Sequence, residues 1–176
     1  MVHELSTLIL QRHAKSAWPA VPDHDRPLAR RGQRDAPVMG RWLRASGYAP
    51  DHVLCSTARR AQETWQLVSQ GLAVTAAVDM DHRLYHASAA EVLDIIRAER
   101  ETSRALLVIG HDPAIATLAL MLASPSAATD ISLSRIAVKF PTSAIAVLRQ
   151  EGPWNRVRPG SMTFTAFVTP RELSGN

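Results

Sequence analysis

Ala105-Leu106-Leu107-Val108-Ile109-Gly110-His111-Asp112-Pro113, continued by an Ala- and Leu-rich run to Leu122, reads as a strand, a polar turn and a helix in that order. The run Ala105–Ile109 is short and apolar throughout, as expected of a strand buried on both faces. Asp112 is placed to cap the helix and Pro113 to start it. The same unit recurs upstream. Leu5–Gln11 is an apolar strand, followed by a polar, proline-containing loop, Arg12 to Leu28. A helix is expected over Ala29–Ala45, with Ala36, Met39 and Leu43 on one face; Pro37 interrupts it, and Asp35 is placed to cap a new helix or a kink. His52–Ser56 is a second strand. The helix after it, Ala58–Gln70, carries Ala61, Trp65 and Val68 on one face, with Gly71 as a stop signal. Val74–Asp79 is a third strand. Ser88 and Glu91 have capping-box spacing for a helix running to about Arg100. Ala144–Arg149 and Met162–Val168 are the last strands. Gly152, Pro153 and Gly160 break the chain between them, which predicts an antiparallel pair. The whole pattern predicts an α/β fold: one three-layer domain over residues 1–176, a mostly parallel sheet with helices on both faces, and a C-terminal antiparallel hairpin.

Composition narrows the function. The chain has 176 residues, 46% of them apolar, enough for a sizeable core. The net charge of +4 comes mostly from arginine, with Lys15 and Lys139 the only lysines. No block of like charges or aromatic-interleaved basic stripe suggests nucleic-acid binding. A locally positive pocket for a phosphorylated substrate suits this balance better. The single cysteine, Cys55, excludes an internal disulfide and a metal site built on several cysteines. Met1 to Ser6 lacks the basic flank and apolar stretch of a signal peptide, and no apolar run is long enough to span a membrane. A cytoplasmic location is therefore expected.

In a parallel sheet, functional groups gather beyond the carboxyl ends of the strands. The first strand ends in Arg12-His13-Ala14, the second in Ser56 with Arg59 and Arg60 just after it, and the fourth in Gly110-His111. The fold would bring two histidines and at least two arginines to one crevice. Arginine offers paired donors to phosphoryl oxygens at any working pH. A neutral imidazole is a competent nucleophile when its other ring nitrogen donates a hydrogen bond that fixes the tautomer. Cations around the equatorial oxygens stabilise the transition state, and the start of the helix near Pro113 adds a positive dipole end.

These segments carry a resemblance. Leu10-Gln11-Arg12-His13-Ala14-Lys15-Ser16 is similar to the Arg-His signature of the histidine phosphatase superfamily. Ser56-Thr57-Ala58-Arg59-Arg60-Ala61-Gln62-Glu63-Thr64 resembles its second motif, whose spacing assigns phosphate binding to Arg60 rather than Arg59; the glutamine at Gln62 is displaced by one position. Val108-Ile109-Gly110-His111-Asp112-Pro113 resembles the third motif. Asp23-His24-Asp25-Arg26-Pro27-Leu28 with Arg31-Gly32, and Leu84-Tyr85 with Ala87-Ser88, look like the compact SixA-type phosphohistidine phosphatases. The resemblance implies the phosphoglycerate mutase-like fold, a metal-independent reaction without cofactor, His13 as nucleophile, and Arg12, Arg60 and His111 on the phosphoryl group. It places Arg26 along the phosphate pocket and Asp23 beside the nucleophile. One departure bears on substrate. Mutases and many acid phosphatases of the superfamily carry a glutamate two residues beyond a leucine after the third strand, and His86 stands there. That acid protonates an ester oxygen, so its absence favours a phosphoramidate such as phosphohistidine. Asp23 and His86 are the candidate proton donors.

Three functions compete. The first is a phosphatase acting on a phosphohistidine-bearing protein. The second is a phosphatase or mutase for small phosphate esters, and the third a non-catalytic phosphate- or phosphohistidine-binding module. Arg59 reads as a solvated helix-start residue, and His3, His24, His52 and His82 as surface histidines. Trp18 either covers the pocket or packs the loop. No metal site is expected, since arginines beside His13 and His111 would repel a cation. Cysteine phosphatases place five residues between cysteine and arginine; here Arg60 comes one position too early. Cys55 therefore reads as a small buried apolar residue. Cys55→Ser should leave phosphatase activity largely intact, and a loss comparable to that of His13→Ala would overturn this.

Overall fold

The computed structural model describes residues 5–100, 102–127 and 130–175, leaving His3 and most of the Met1–Ser6 stretch outside the described residues. The elements in chain order are β1 (Leu5–Arg12), α1 (Arg30–Ala45), β2 (His52–Ser56), α2 (Arg59–Leu72), β3 (Ala77–Asp81), α3 (Ala89–Arg97), β4 (Ala105–Gly110), α4 (Ala114–Leu122), α5 (Ile131–Val138), β5 (Ile145–Glu151), β6 (Thr163–Val168) and α6 (Pro170–Leu173). The six strands form one sheet in the order β3-β2-β4-β1-β5-β6. The first four are parallel; β5 runs antiparallel to β1, and β6 antiparallel to β5. The predicted three-layer α/β architecture and C-terminal antiparallel hairpin are therefore present.

Strand alternation builds the layers. Leu8 and Leu10 of β1 and Leu106 and Val108 of β4 face a core with α3 and α4, closed by Phe140 and Trp154. Ile9, Val53, Cys55, Leu107 and Ile109 face the opposite side, against Met39 and Leu43 of α1 and Val68 and Leu72 of α2. Register then aligns the strand ends. Arg12 lies opposite Gly110, and Cys55 opposite Ile109, so β1, β2 and β4 terminate at one level.

Several local expectations need correction. Gly71 does not stop α2. It lies inside the helix, where a methyl group would overlap the carbonyl oxygen of Pro37, and Gly40 of α1 meets the carbonyl of Val68 in the same way. The two helices touch backbone to backbone there. The actual stop is Ala73, in the left-handed region at φ 54°. α1 runs unbroken through Pro37, and Asp35 caps nothing; it pairs with Arg31 at 3.4 Å, one turn earlier. β3 begins at Ala77 rather than Val74, since its pairing with β2 starts there, at His52. The Ser88–Glu91 capping box forms as expected, but α3 ends at Arg97. Pro113 sits at the cap of α4, with no side-chain bond from Asp112, whose carboxylate turns toward Arg12 at 3.6 Å. α5 was not expected; Asp130 caps it by accepting from the Ser132 amide. His52 is not a surface residue. It is buried at the far end of the sheet, with carboxylate oxygens of Glu99 and Asp79 at 2.7 and 3.0 Å.

Candidate active site

Sheet register places His13, Arg12, Ser56 and His111 at one end of three adjacent strands. The amide of His13 continues the ladder to the Gly110 carbonyl at 3.0 Å. The ring of His13 is buried, and its Nδ1 lies 2.7 Å from the carbonyl of Ala14. A carbonyl only accepts, so Nδ1 carries the proton and Nε2 keeps its lone pair. The His111 ring lies 5.1 Å away, centroid to centroid. Its Nε2 is 2.8 Å from Ser56 Oγ, and its Nδ1 is 3.5 Å from Arg60 Nη2. A guanidinium only donates, so Nδ1 of His111 is the unprotonated nitrogen in the free site.

Burial sets the charge state of both rings. Desolvation, opposed by the Ala14 hydrogen bond and reinforced by His111, Arg60 and Arg12, lowers the His13 pKa to about 3. Desolvation and then the charge of Arg60 lower that of His111 to about 4. Both imidazoles are neutral at neutral pH, as a nucleophile requires.

The sign for stability follows. An unfolded chain protonates both histidines near 6.5, while the folded chain holds them neutral down to about 4 and 3. Stability is full above pH 6.5 and falls as the pH drops through that window, approaching about 1.4 kcal/mol per pH unit for each histidine. Chemical denaturation between pH 6.5 and 4.5 should show this slope, and His13→Asn should reduce it to about half, the His111 contribution remaining; an equal slope in the variant would contradict the assignment.

The remaining groups converge from loops. Arg12 donates from Nη1 to the Phe140 carbonyl at 2.7 Å. Arg60, at the start of α2, is buried and donates from Nη1 to the Asp23 carbonyl at 2.7 Å and from Nη2 to Asp23 Oδ2 at 3.1 Å. Arg26, also buried, is spent on the loop. It bonds Asp23 Oδ1 at 2.7 Å, the Ala17 carbonyl at 3.0 Å and the Ser16 hydroxyl, and lies over the Trp18 ring at 3.3 Å. Trp18 is itself 76% exposed, so it packs the loop through Arg26 while keeping most of its surface in solvent. The Tyr85 hydroxyl donates to Asp23 Oδ2 at 2.5 Å. Tyr85, Arg26 and Arg60 together hold the Asp23 carboxyl well below the usual carboxylate range. His86 is exposed, with its ring 3.9 Å from that of Tyr85. Arg59 is exposed and pairs with Glu63 at 2.7 Å.

Four supporting residues, three of them inside the quoted motifs, carry chemical roles that the sequence does not assign. Thr64 accepts from the Ala14 amide at 2.9 Å and donates to the Arg60 carbonyl at 2.6 Å, tying nucleophile loop to phosphate-site helix. Ser56 partners His111, and Tyr85 partners Asp23. Ser143 is buried with φ at 66°, and its amide donates to the carbonyls of Arg12 and His13, both at 3.1 Å. Such a backbone costs on the order of 1–3 kcal/mol and here braces the end of β1. Thr64 and Ser56 stand within the second motif, and Tyr85 within the Leu84-Tyr85 pair; Ser143 left no signal of its own.

Concavity alone would mislead. A hollow of about 520 Å³ lies between α5 and β6, its wall including Ile131, Val138, Pro141 and Phe167 with Arg135 and Lys139, but no histidine or carboxylate. Among the described residues, no group of three or more His, Cys, Asp or Glu is placed to hold a metal ion. Also among them, no helix is long and apolar enough to cross a membrane. Cys55 is buried, and desolvation pushes its thiol up to about 12.

With this geometry in hand, the chain can be set beside known proteins. Residues 8–86 match the histidine phosphatase superfamily (branch 1). An uncharacterized protein of Mycobacterium tuberculosis is 47% identical over 161 residues, covering 91% of this chain and 99% of that protein. The structure of the "Putative Phosphohistidine Phosphatase SixA" from Nakamurella multipartitia aligns with a TM-score of 0.84 at 30% identity, over 94% of this chain and 96% of that one. The protein histidine phosphatase SixA complexed with tungstate aligns at 0.77 and 25% identity, over 95% and 99%. The chain belongs to the histidine phosphatase superfamily. Within it, its fold is similar to that of the SixA-type members.

Proposed function

We propose that this chain is a phosphohistidine phosphatase of the SixA type, acting on a phosphorylated protein through a covalent phosphohistidine at His13. The observation that carries the reading is the His13 ring, held by the Ala14 carbonyl so that Nε2 stays unprotonated, with His111 at 5.1 Å and Arg60 beside His111.

Nε2 of His13 attacks phosphorus as the bond to the leaving nitrogen breaks. Arg12 and Arg60 take the charge spread over the equatorial oxygens, and His111 joins them by taking a proton on Nδ1 once the phosphoryl dianion is beside it and Arg60 has turned to the phosphoryl oxygens. Water then cleaves the new P–N bond, releasing phosphate and restoring neutral His13. The leaving group decides between substrates. A phosphohistidine ring protonated on its other nitrogen departs as neutral imidazole and needs no acid at the breaking bond. An alkyl ester oxygen does need one. Asp23 is held ionised in the free site, and His86 stands where a glutamate would supply the proton. Both facts favour the phosphoramidate. Arg26 supports the pocket by fixing Asp23 and the loop.

The test is phosphate release from a phosphohistidine-bearing protein domain in the presence of EDTA, compared with release from sugar and glycerate phosphates. Release from the protein, with slow turnover of the esters, is expected. Faster turnover of the esters would transfer the assignment to small phosphate esters. Binding of the phosphoprotein without release would make the chain a recognition module.

A further inference from the structure

Asp23 does more in this site than stand near the nucleophile. Both terminal nitrogens of Arg60 are directed at this one residue, Nη1 at its carbonyl and Nη2 at its carboxylate. The Arg60 side chain is only 8% exposed, and Asp23 is the carboxylate paired with it. The Asp23 side chain is 51% exposed, on a three-residue turn, Asp23–Asp25, that buries nothing. A buried cation is thus neutralised by an anion that can leave. The same carboxylate accepts from Tyr85 at 2.5 Å and from Arg26 at 2.7 Å, both shorter than its 3.1 Å contact with Arg60 Nη2, and Arg26 has further partners in Ser16, the Ala17 carbonyl and Trp18 that do not involve Asp23.

We propose that Asp23 is a built-in competitor for the phosphoryl group, occupying Arg60 in the free enzyme and yielding it to the phosphoryl oxygens when substrate enters. The proposal rests on the reading of Arg60 as a phosphate ligand. Its functional consequence is weak affinity for the product. Inorganic phosphate must displace Asp23 without help from the rest of a protein substrate, whereas a phosphoprotein brings additional contacts to offset the exchange. The site therefore empties after each turnover and resists occupation by free phosphate. A clamp closed about nine times in ten lowers the apparent affinity roughly tenfold.

The experiment is calorimetric titration of inorganic phosphate into wild type, Asp23→Asn, Asp25→Asn and Arg60→Ala, each first shown to be folded by its thermal transition. Asp25 lies on the same turn and is exposed, so Asp25→Asn makes the same change in net charge away from Arg60. Asp23→Asn should bind phosphate about tenfold more tightly, Asp25→Asn should match wild type, and Arg60→Ala should lose binding. An Asp23→Asn affinity equal to or weaker than wild type overturns the clamp. Equal tightening in Asp25→Asn also overturns it, by tracing the effect to net charge. A role for Asp23 as proton donor alone predicts slower ester turnover with unchanged phosphate affinity, which counts against the proposal. Loss of binding in Arg60→Ala with no change in Asp23→Asn removes this inference and leaves the proposed function standing. Full binding by Arg60→Ala removes this inference together with Arg60's place as a phosphate ligand, and leaves nucleophilic catalysis at His13 to its own test.

Discussion

His13→Asn is expected to reduce kcat/KM for a phosphohistidine-bearing protein by at least about a thousandfold, the scale seen when a covalent nucleophile is deleted. Asparagine can preserve a hydrogen bond to the Ala14 carbonyl, but it has no nitrogen lone pair able to attack phosphorus. Substrate binding should survive, because Arg12, Arg60 and His111 remain in place. The loss should therefore fall on kcat rather than KM. Brief incubation with radiolabelled substrate and denaturing quench should leave acid-labile label on wild type and none on the variant. Retention of more than about a tenth of wild-type turnover by His13→Asn, or label of equal strength on both proteins, would sink covalent catalysis at this residue.

The second large effect is expected at Arg60. Arg60→Lys keeps the charge but replaces a planar fork with a point donor. Arg60→Ala removes both. A fall of about a hundred- to a thousandfold in kcat is expected for the alanine variant, since charge on the phosphoryl oxygens is greatest in the transition state. The lysine variant should fall between alanine and wild type. The ion pair with Asp23 exists before substrate arrives, so the loss reports on phosphoryl stabilisation only if folding is intact. Tyr85 and Arg26 still hold Asp23 in either variant. Equal activity in wild type and Arg60→Ala would remove Arg60 from the site.

The parts of this fold legible in the sequence were those decided by local pattern. The strand His52–Ser56 has the bounds expected of it, because a short apolar run ending in Ser-Thr has few alternatives. The Ser88–Glu91 box is likewise a local matter of reciprocal bonds. The strand ends met because parallel pairing leaves few other arrangements for β1, β2 and β4. What escaped was decided by partners distant in sequence. Gly71 looks like a helix terminator until Pro37, more than thirty positions earlier, is laid against it. His52 looks solvated until Glu99 and Asp79 close around it. Ser143 carries no pattern that announces a left-handed backbone; only the two carbonyls at the end of β1 give it a reason. Among the candidate site residues, Asp23 and Arg26 were visible as a loop motif, but not their mutual pairing.

The backbone contact between α1 and α2 sets a limit on how this protein can be improved. A common route to a more heat-resistant enzyme replaces helical glycines by alanine, gaining roughly 0.5–1 kcal/mol at each compatible position. Gly40 and Gly71 would be natural choices on helix propensity alone. At both, the added methyl lands on the opposing helix's carbonyl, so the helices must separate and the gain turns into a loss. Since Arg60 lies in the first turn of α2, that separation would be felt at the phosphate end of the molecule as well. Stabilising substitutions in this chain belong elsewhere, on the exposed faces of these helices, where no neighbour dictates the residue.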